Sequence, residues 1–496
     1  MRVLLLVGFV IAPLLSFCQA LSPKRGLAYG KNSSLDLEVL SKGLSWWYNW
    51  AEAPEPAVIN YYQRYGFDFV PMAWNSSFNE QTLRNYLSTH PNVKYILGFN
   101  EPNFKQQANL TPSQAAAQWP KLEKIADDFN LKIVGPAVNY CDVCVTENGK
   151  TYTDPILYLD DFFAACSTCR IDYIAIHSYM NSVTALEWYV GLFKKYNKPI
   201  WLTEFAGWEY NGNLNTAAEQ ENFLVGAVDI LETNPNIFRY AWFIGRTSGG
   251  PNTYPFIDLL KGNGELTALG KTYVNMPVHD PAFYAPVPGT IEAENYTQMK
   301  GILLEKTQDV TGFAQVGYID KDDWLEYNIA VENSDTYKVD WRVASNAVAS
   351  ADILLDDTKQ FTQTFTNTGG YQSWTTFNNT LYLTAGQHTL RIKANTGGFN
   401  LNYIQLTGSV VTGSSDLVVR NNQVEIFPNP SAGKIHLKSD LEIEKVEIYN
   451  PVGKKVKSMA FSPTIDLAGL SAGVYFLKGF DKTNQVSFVE RVFLTR

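Results

Sequence analysis

The sequence predicts an α/β fold, a (β/α)8 TIM barrel, followed by two all-β sandwich domains. Three observations carry that expectation. From Arg25 to about Met276 short apolar runs alternate with stretches of helical period. Two of those runs end in a glutamate, in Gly98-Phe99-Asn100-Glu101-Pro102-Asn103 and Trp201-Leu202-Thr203-Glu204-Phe205. Beyond a proline-rich stretch the period changes to two, as in Tyr337-Lys338-Val339-Asp340-Trp341-Arg342-Val343 and Thr389-Leu390-Arg391-Ile392-Lys393, with Gly, Asn and Asp between the strands.

The strand candidates of the first part are Gly26–Tyr29, Leu44–Tyr48, Phe67–Ala73, Val93–Phe99, Leu131–Pro136, Ile171–His177, Ile200–Glu204 and Phe238–Phe243. Between them Pro56–Tyr65, Glu80–Leu87, Pro112–Phe129, Ala185–Tyr196 and Thr216–Leu231 place apolar residues at three-to-four spacing, the pattern of a helix with one buried face. Eight strands over about 250 residues are the usual content of a barrel. Every strand of a parallel barrel ends at the same rim, so Glu101 and Glu204, at the ends of the fourth and seventh strands, can face one cleft. Two carboxylates across a cleft are the machinery of glycoside hydrolysis. Taken alone, each glutamate could be a surface carboxylate after a strand; each makes the other more informative.

The chain has 496 residues, 40 Lys+Arg against 49 Asp+Glu and a net charge of −9, which argues against nucleic acid as a partner and suits a neutral ligand. Aromatic residues make up 14%, with 12 Trp and 28 Tyr, and supply flat faces on which sugar rings can stack. Residues 1–20 read as a signal peptide: Met1-Arg2, an apolar run from Val3 to Phe17, then Cys18-Gln19-Ala20. No later stretch is long and apolar enough to span a membrane. In an exported protein the pairs Cys141/Cys144 and Cys166/Cys169 are expected as two disulfides of open connectivity, with a structural zinc as the other reading. Residues 21–276 are assigned to the barrel, 277–289 to a linker, 290–408 to a sandwich, 409–421 to a second linker and 422–496 to a C-terminal domain. Linkers on both sides imply few obligatory contacts for the sandwich.

The Asn100-Glu101-Pro102 strand end resembles the large glycoside hydrolase clan with glutamates on strands four and seven. Together with Ala175-Ile176-His177-Ser178-Tyr179 and Trp201-Leu202-Thr203-Glu204-Phe205-Ala206, it resembles glycoside hydrolase family 128, the Asl1-like β-1,3-glucanases. The resemblance implies Glu101 as acid/base, Glu204 as nucleophile and Asn100 as the partner of the sugar 2-hydroxyl. His177 and Tyr179 are expected to orient Glu204 or line the adjoining subsite. Among the tryptophans at or beyond strand ends, Trp47, Trp50, Trp74, Trp208 and Trp242, the expected sugar platforms are Trp208 and Trp242.

Residues 290–408 resemble a family 6 carbohydrate-binding module in Ile291-Glu292-Ala293-Glu294-Asn295-Tyr296, Val316-Gly317-Tyr318, Gly369-Gly370-Tyr371 and Phe399-Asn400-Leu401-Asn402. That implies a sugar cleft built on Tyr318, Tyr371 and Asn400, and a structural calcium held with Glu292 and Glu294. Tyr371 stands where Trp is common and Asn402 where Asp is common. Asp320, Asp322 and Asp323 read as a turn, since no spaced glutamate completes a calcium loop. The last part, with Ile426-Phe427-Pro428-Asn429-Pro430 and Ser471-Ala472-Gly473-Val474-Tyr475, resembles the C-terminal sorting domain of type IX secretion and implies passage through the outer membrane. The whole reads as a secreted or cell-surface retaining endo-β-1,3-glucanase, needing no cofactor for catalysis, monomeric, with β-glucan and the secretion machinery as partners. The rival readings are a glycosidase of another β-glycan, β-1,4 or mixed-linkage, and a carbohydrate-binding surface protein on an inactive barrel.

Overall fold

The computed structural model describes residues 21–208, 214–249, 253–408, 424–439, 441–450, 454–483 and 486–495. The expected signal peptide and the 409–421 linker lie outside the described residues. Eight parallel strands form the first sheet: β1 (Arg25–Ala28), β2 (Trp46–Tyr48), β3 (Asp68–Phe69), β4 (Tyr95–Leu97), β5 (Lys132–Val138), β6 (Tyr173–Ser178), β7 (Ile200–Phe205) and β8 (Ile237–Trp242). Their order is β3-β2-β1-β8-β7-β6-β5-β4. The ring closes where Leu97 N donates to Pro71 O (2.9 Å) and Ala73 N to Leu97 O (3.0 Å).

Around it lie α1 (Ser34–Leu40), α2 (Glu80–Thr89), α3 (Pro112–Phe129), α4 (Pro155–Ala165), α5 (Val183–Leu192), α6 (Ala217–Thr233) and α7 (Ala268–Asn275). Their starts follow from sequence. Thr111 and Thr216 cap α3 and α6 in reciprocal boxes with Gln114 and Glu219, and Pro112 and Pro155 fill first-turn positions where no N–H is needed. The stretch Pro56–Tyr65 is not the expected helix. It is a series of turns ending in one 3-10 turn, Tyr62–Tyr65, because its β-branched and aromatic run has weak helix propensity.

Inside the barrel, Arg239 lies under the rings of Trp46, Tyr95 and Trp201, with its guanidinium 5.5, 5.0 and 5.2 Å from their centroids. The barrel is therefore a packed core below the rim. Outside, the buried Arg25 side chain on β1 ties several elements together: it donates to Tyr240 Oη (3.0 Å), Glu232 Oε1 (2.8 Å), Tyr273 O (3.0 Å), Met276 O (2.9 Å) and Pro277 O (2.8 Å).

The second part is a β-sandwich. One sheet orders 285–287, 324–331, 386–396, 349–355 and 358–365; the other orders 303–306, 314–317, 399–407, 335–345 and 370–383. The stretch 277–289 is not a free tether. Ala285–Val287 pairs in parallel with Ile329–Val331, because a proline with its nitrogen turned away from the partner is tolerated on an edge strand. The barrel and this sandwich form one compact unit, and the remainder of the chain forms a second. That second unit, described by itself, packs a three-stranded sheet and a four-stranded sheet around Ile435, Leu437, Val446, Ile448 and Leu477.

The cysteines pair within each motif, Cys141 with Cys144 and Cys166 with Cys169, which settles the open connectivity. The Asp320–Asp323 segment is a turn, with Asp323 Oδ2 accepting from Asp320 N at 2.8 Å.

Arg25→Met should destabilise the protein by about 3–5 kcal/mol, because it leaves the Glu232 carboxylate buried without its cation. Urea denaturation monitored by tryptophan fluorescence measures this, and a loss below about 1 kcal/mol would show that the cluster is replaceable.

Candidate functional site

Glu101 follows β4 in a sharp turn. Asn100 N donates to Trp74 O (2.9 Å), Ala108 N to Asn100 O (3.1 Å), and Glu101 itself has φ 41°. A non-glycine residue in the left-handed region costs of order 1–3 kcal/mol and persists only where the surroundings impose it. Those surroundings include the Cys141–Cys144 loop: Lys105 N donates to Val143 O and Val145 N to Asn103 O, each at 2.9 Å. The buried Asn103 side chain adds a bond to Asn139 O (2.8 Å).

Glu204 reaches the rim through a bulge. Ile176 pairs with Leu202 and His177 with Glu204, while Tyr240 pairs with Leu202 and Trp242 with Phe205. Both neighbouring strands therefore see one extra residue in β7. Strict alternation would place Glu204 on the helix side with Leu202; the extra residue turns it into the mouth, as bulges beside functional sites do.

The two glutamates and His177 converge: one ligand atom from each lies within 4.8 Å of the others. His177 Nδ1 is 2.9 Å from Glu101 Oε1 and 3.4 Å from Glu204 Oε2. Glu204 Oε1 accepts from Tyr48 Oη (3.0 Å) and Trp50 Nε1 (2.8 Å), and Oε2 accepts from Tyr179 Oη. Burial, and then the negative charge of Glu204, push the Tyr48 and Tyr179 phenols well above their ordinary pKa, so both remain donors. Among the described residues these three side chains are also the group close enough to hold a metal ion. Both oxygens of Glu204 are already engaged by neutral donors, which suits a hydrogen-bonded carboxylate.

The cleft over this pair has a volume of about 410 Å³ and is lined by Trp50, Trp74, Asn100, Glu101, Gln107, Tyr179, Glu204, Trp208 and Phe243. Asn100 Nδ2 contacts Gln107 Oε1 (3.3 Å), and its Oδ1 is buried without a protein partner. Trp50 and Phe243 also border a second recess of about 380 Å³ with Tyr29, Lys31, Thr247 and Tyr254.

Asn100, Glu101, His177, Tyr179, Glu204 and Trp208 are therefore together. Trp242 is not with them. It is fully buried on the helix side of β8, packs on Phe205 (4.9 Å between ring centroids) and donates Nε1 to Ile257 O (2.8 Å). It cannot serve as a sugar platform; the adjoining Phe243 faces the cleft instead. Trp47 is likewise fully buried. Sequence pattern does not single out Tyr48, Gln107 or Phe243. Tyr48 and Phe243 signal only by position, at or just beyond the end of a barrel strand, and Gln107 comes from the turn that follows Glu101.

In the sandwich Tyr318 is 60% exposed, with φ 54°, and Tyr371 is 45% exposed. Asn400 lies between their strand ends: Nδ2 donates to Tyr371 O (2.8 Å), and a Cβ on Gly317 would be 3.2 Å from its Oδ1. Glu292 Oε2, Glu294 Oε2 and Asn402 Oδ1 are buried acceptors without a protein donor. Burial raises both carboxyls, Glu294 to about 8. Orphaned acceptor oxygens of this kind fit a hard cation.

Residues 26–273, half of the chain, match the family model for a glycosyl hydrolase catalytic core; 292–408 match carbohydrate binding module family 6, and 425–492 a secretion system C-terminal sorting domain. The chain is 27% identical over 263 residues to alkali-sensitive linkage protein 1 of Schizosaccharomyces pombe, covering 52% of this chain and 45% of that one. It thus spans less than half the length of that relative. It is 44% identical to a family 128 (subgroup II) endo-β-1,3-glucanase from Sorangium cellulosum, covering 52% of this chain and 100% of that one, with a TM-score of 0.47. It is 38% identical to a carbohydrate-binding module of Cellvibrio mixtus lichenase 5A, solved with cellotriose, covering 25% of this chain and 98% of that one, with a TM-score of 0.24.

Burial disfavours charge on His177, but Glu204 and Glu101 outweigh it and raise its pKa above the ordinary 6.5. A value raised in the fold gives stability that is complete below the unfolded-state value and is lost as pH climbs through the folded-state value. His177→Gln should therefore lower the melting temperature more at about pH 6 than at about pH 9. An equal loss at both would show that the imidazole is neutral throughout.

Proposed function

The chain belongs to the glycosyl hydrolase catalytic core family, and from that premise we propose that it is a secreted, retaining endo-β-1,3-glucanase of the family 128 type. The observation that carries the mechanism is the approach of Glu101, His177 and Glu204 to within 4.8 Å. Carboxyl groups about 5–5.5 Å apart serve double displacement, whereas inverting pairs need about 6.5–9.5 Å to admit a water. The β-1,3 linkage is supported by the motifs around Glu101, His177 and Glu204 and by the 44% identity with an enzyme of that specificity.

Glu204, oriented by Tyr48, Trp50 and Tyr179, attacks the anomeric carbon as the glycosidic C–O bond breaks. Glu101 gives its proton to the departing oxygen. Glu101 then takes a proton from water, which attacks the glycosyl-enzyme and restores Glu204. His177 spans the pair and orients both carboxyls. Asn100 lines the cleft, where its side-chain amide would meet a sugar hydroxyl, and Trp50, Trp74, Trp208 and Phe243 supply apolar faces for the rings. The second recess past Trp50 lies at the β1 and β8 rim, opposite the β4 end that carries the acid. A cleft continued on that side suits the middle of a chain, hence endo action.

The sandwich is assigned to glucan binding through Tyr318, Tyr371 and Asn400. Glu292 and Glu294, with Asn402, would hold a structural calcium. The C-terminal unit is assigned to type IX export. Among the described residues no helix is long and apolar enough to cross a membrane.

Glu204→Ala should abolish turnover of laminarin, and Glu101→Ala should lower it roughly 10²–10⁴-fold. On an aryl glucoside with a good leaving group, Glu101→Ala with azide should give the β-azide and Glu204→Ala the α-azide, read by NMR. The opposite pair would reverse the two roles, and inverted product from the native enzyme would end the retaining mechanism. Release of oligosaccharides from xylan or cellulose but not from laminarin or curdlan would overturn the substrate.

Glu294, with its pKa raised from 4.5 to about 8, lends the fold full stability only below its unfolded-state value and loses it as pH rises through about 8. In chelator the melting temperature should therefore fall between about pH 5 and about pH 8, and calcium should remove that fall. Identical melts with calcium and with chelator at about pH 8 would take the cation away from Glu292 and Glu294.

A further inference from the structure

Helix α6 reads Phe223-Leu224-Val225-Gly226-Ala227-Val228-Asp229-Ile230-Leu231, apolar almost all round. A helix of that kind must be covered on both sides. The barrel covers one. On the other, Asn222, Gly226 and Asp229 fall at i, i+4 and i+7, a single stripe, and each meets the segment that follows the barrel. Lys306 N donates to Asn222 Oδ1 at 2.9 Å. A Cβ on Gly226 would lie 3.5 Å from Leu304 O, in ordinary contact with the strand that passes over this position, and 2.8 Å from Val183 Cγ2 of α5, where glycine makes room. Asp229, fully buried, accepts from Tyr296 Oη and lies 3.0 Å from His279 Nε2. His279 stacks on Tyr296 with 4.1 Å between ring centroids, and its Nδ1 is 3.0 Å from Tyr296 O. Beside them Lys306 Nζ pairs with Glu221 Oε1 at 3.1 Å.

A buried carboxylate is tolerable only with partners, and both partners of Asp229 come from beyond the barrel. The residues between are fastened at intervals as well: Pro277 O by Arg25, Pro281 O by Asn328 Nδ2 (2.8 Å), and Ala285–Val287 by strand pairing.

We propose that the sandwich is a fixed arm of the catalytic barrel, latched by Asp229 onto His279 and Tyr296, and that it acts on solid glucan by holding the cleft at one orientation to the surface it binds. A tethered module would raise local concentration in any orientation; a latched one presents the cleft. The functional half of this inference rests on the glucanase reading above, whereas the latch itself does not.

The test uses the full chain with Asp229→Ala, and with Tyr296→Phe, which removes the hydroxyl alone. Phe283 and Tyr284 are half-buried, so chymotrypsin cuts after them faster when the 277–289 segment opens. Cleavage there should be at least tenfold faster in Asp229→Ala and clearly faster in Tyr296→Phe than in the native protein. The ratio of activity on curdlan particles to activity on soluble laminaritetraose should fall several-fold in both variants, with the soluble rate unchanged. Unchanged cleavage in both variants overturns the latch, whatever the activity. Faster cleavage with an unchanged ratio overturns the presenting role. If the native protein hydrolyses neither glucan, the glucanase reading fails, and the cleavage rates still decide the latch.

Discussion

Everything at the barrel mouth depends on keeping two acidic side chains within 4.8 Å of each other and of one imidazole in a largely buried pocket. Two like charges at such a distance repel strongly where water is scarce, so the surroundings must divide them. Glu204 receives three donors, from Tyr48, Trp50 and Tyr179, while Glu101 faces His177. The asymmetry of partners distinguishes the two chemically similar carboxyls, and it comes from different strands. Tyr48 and Trp50 come from the end of β2, Tyr179 and His177 from the end of β6, Glu204 from β7 and Glu101 from β4. Only a closed barrel brings those ends to one rim.

Three side chains of the two candidate sites share a second constraint. Trp50, Glu101 and Tyr318 all have φ near +50°, at 59°, 41° and 54°. L-residues avoid this region, so the chain around each must compensate. At Glu101 the compensation is visible: the turn is bonded on one side to the Trp74 carbonyl and braced on the other through Asn103 by the Cys141–Cys144 loop. The loop closed by this disulfide thus buttresses the turn that carries Glu101.

The link between barrel and sandwich changes what the second part contributes. Composition made 277–289 a tether, since prolines and small residues are what tethers contain. Yet Arg25, Asp229 and Asn328 each bond to it, and three of its residues add a strand to the sandwich sheet. Proline restricts φ and removes a donor; it does not by itself decide whether a segment is free. The partners that decide are distant in sequence.

From the sequence alone come the barrel, the sandwiches and the two glutamates, because period, length and strand-end position are local properties. The same holds for the strand-end positions of Asn100, His177, Tyr179 and Trp208, whereas Tyr318, Tyr371 and Asn400 in the sandwich come from the resemblance to a family 6 module. What only the tertiary structure decides is direction and pairing. Trp242 and Phe243 are adjacent aromatic residues at one strand end; alternation buries the first against the helices and turns the second to the cleft. The extra residue in β7 that aims Glu204 inward appears only in its register with β6 and β8. The donors on Glu204 and the cover over Asp229 are contacts between residues far apart along the chain, and local pattern carries no information on which distant surfaces will meet.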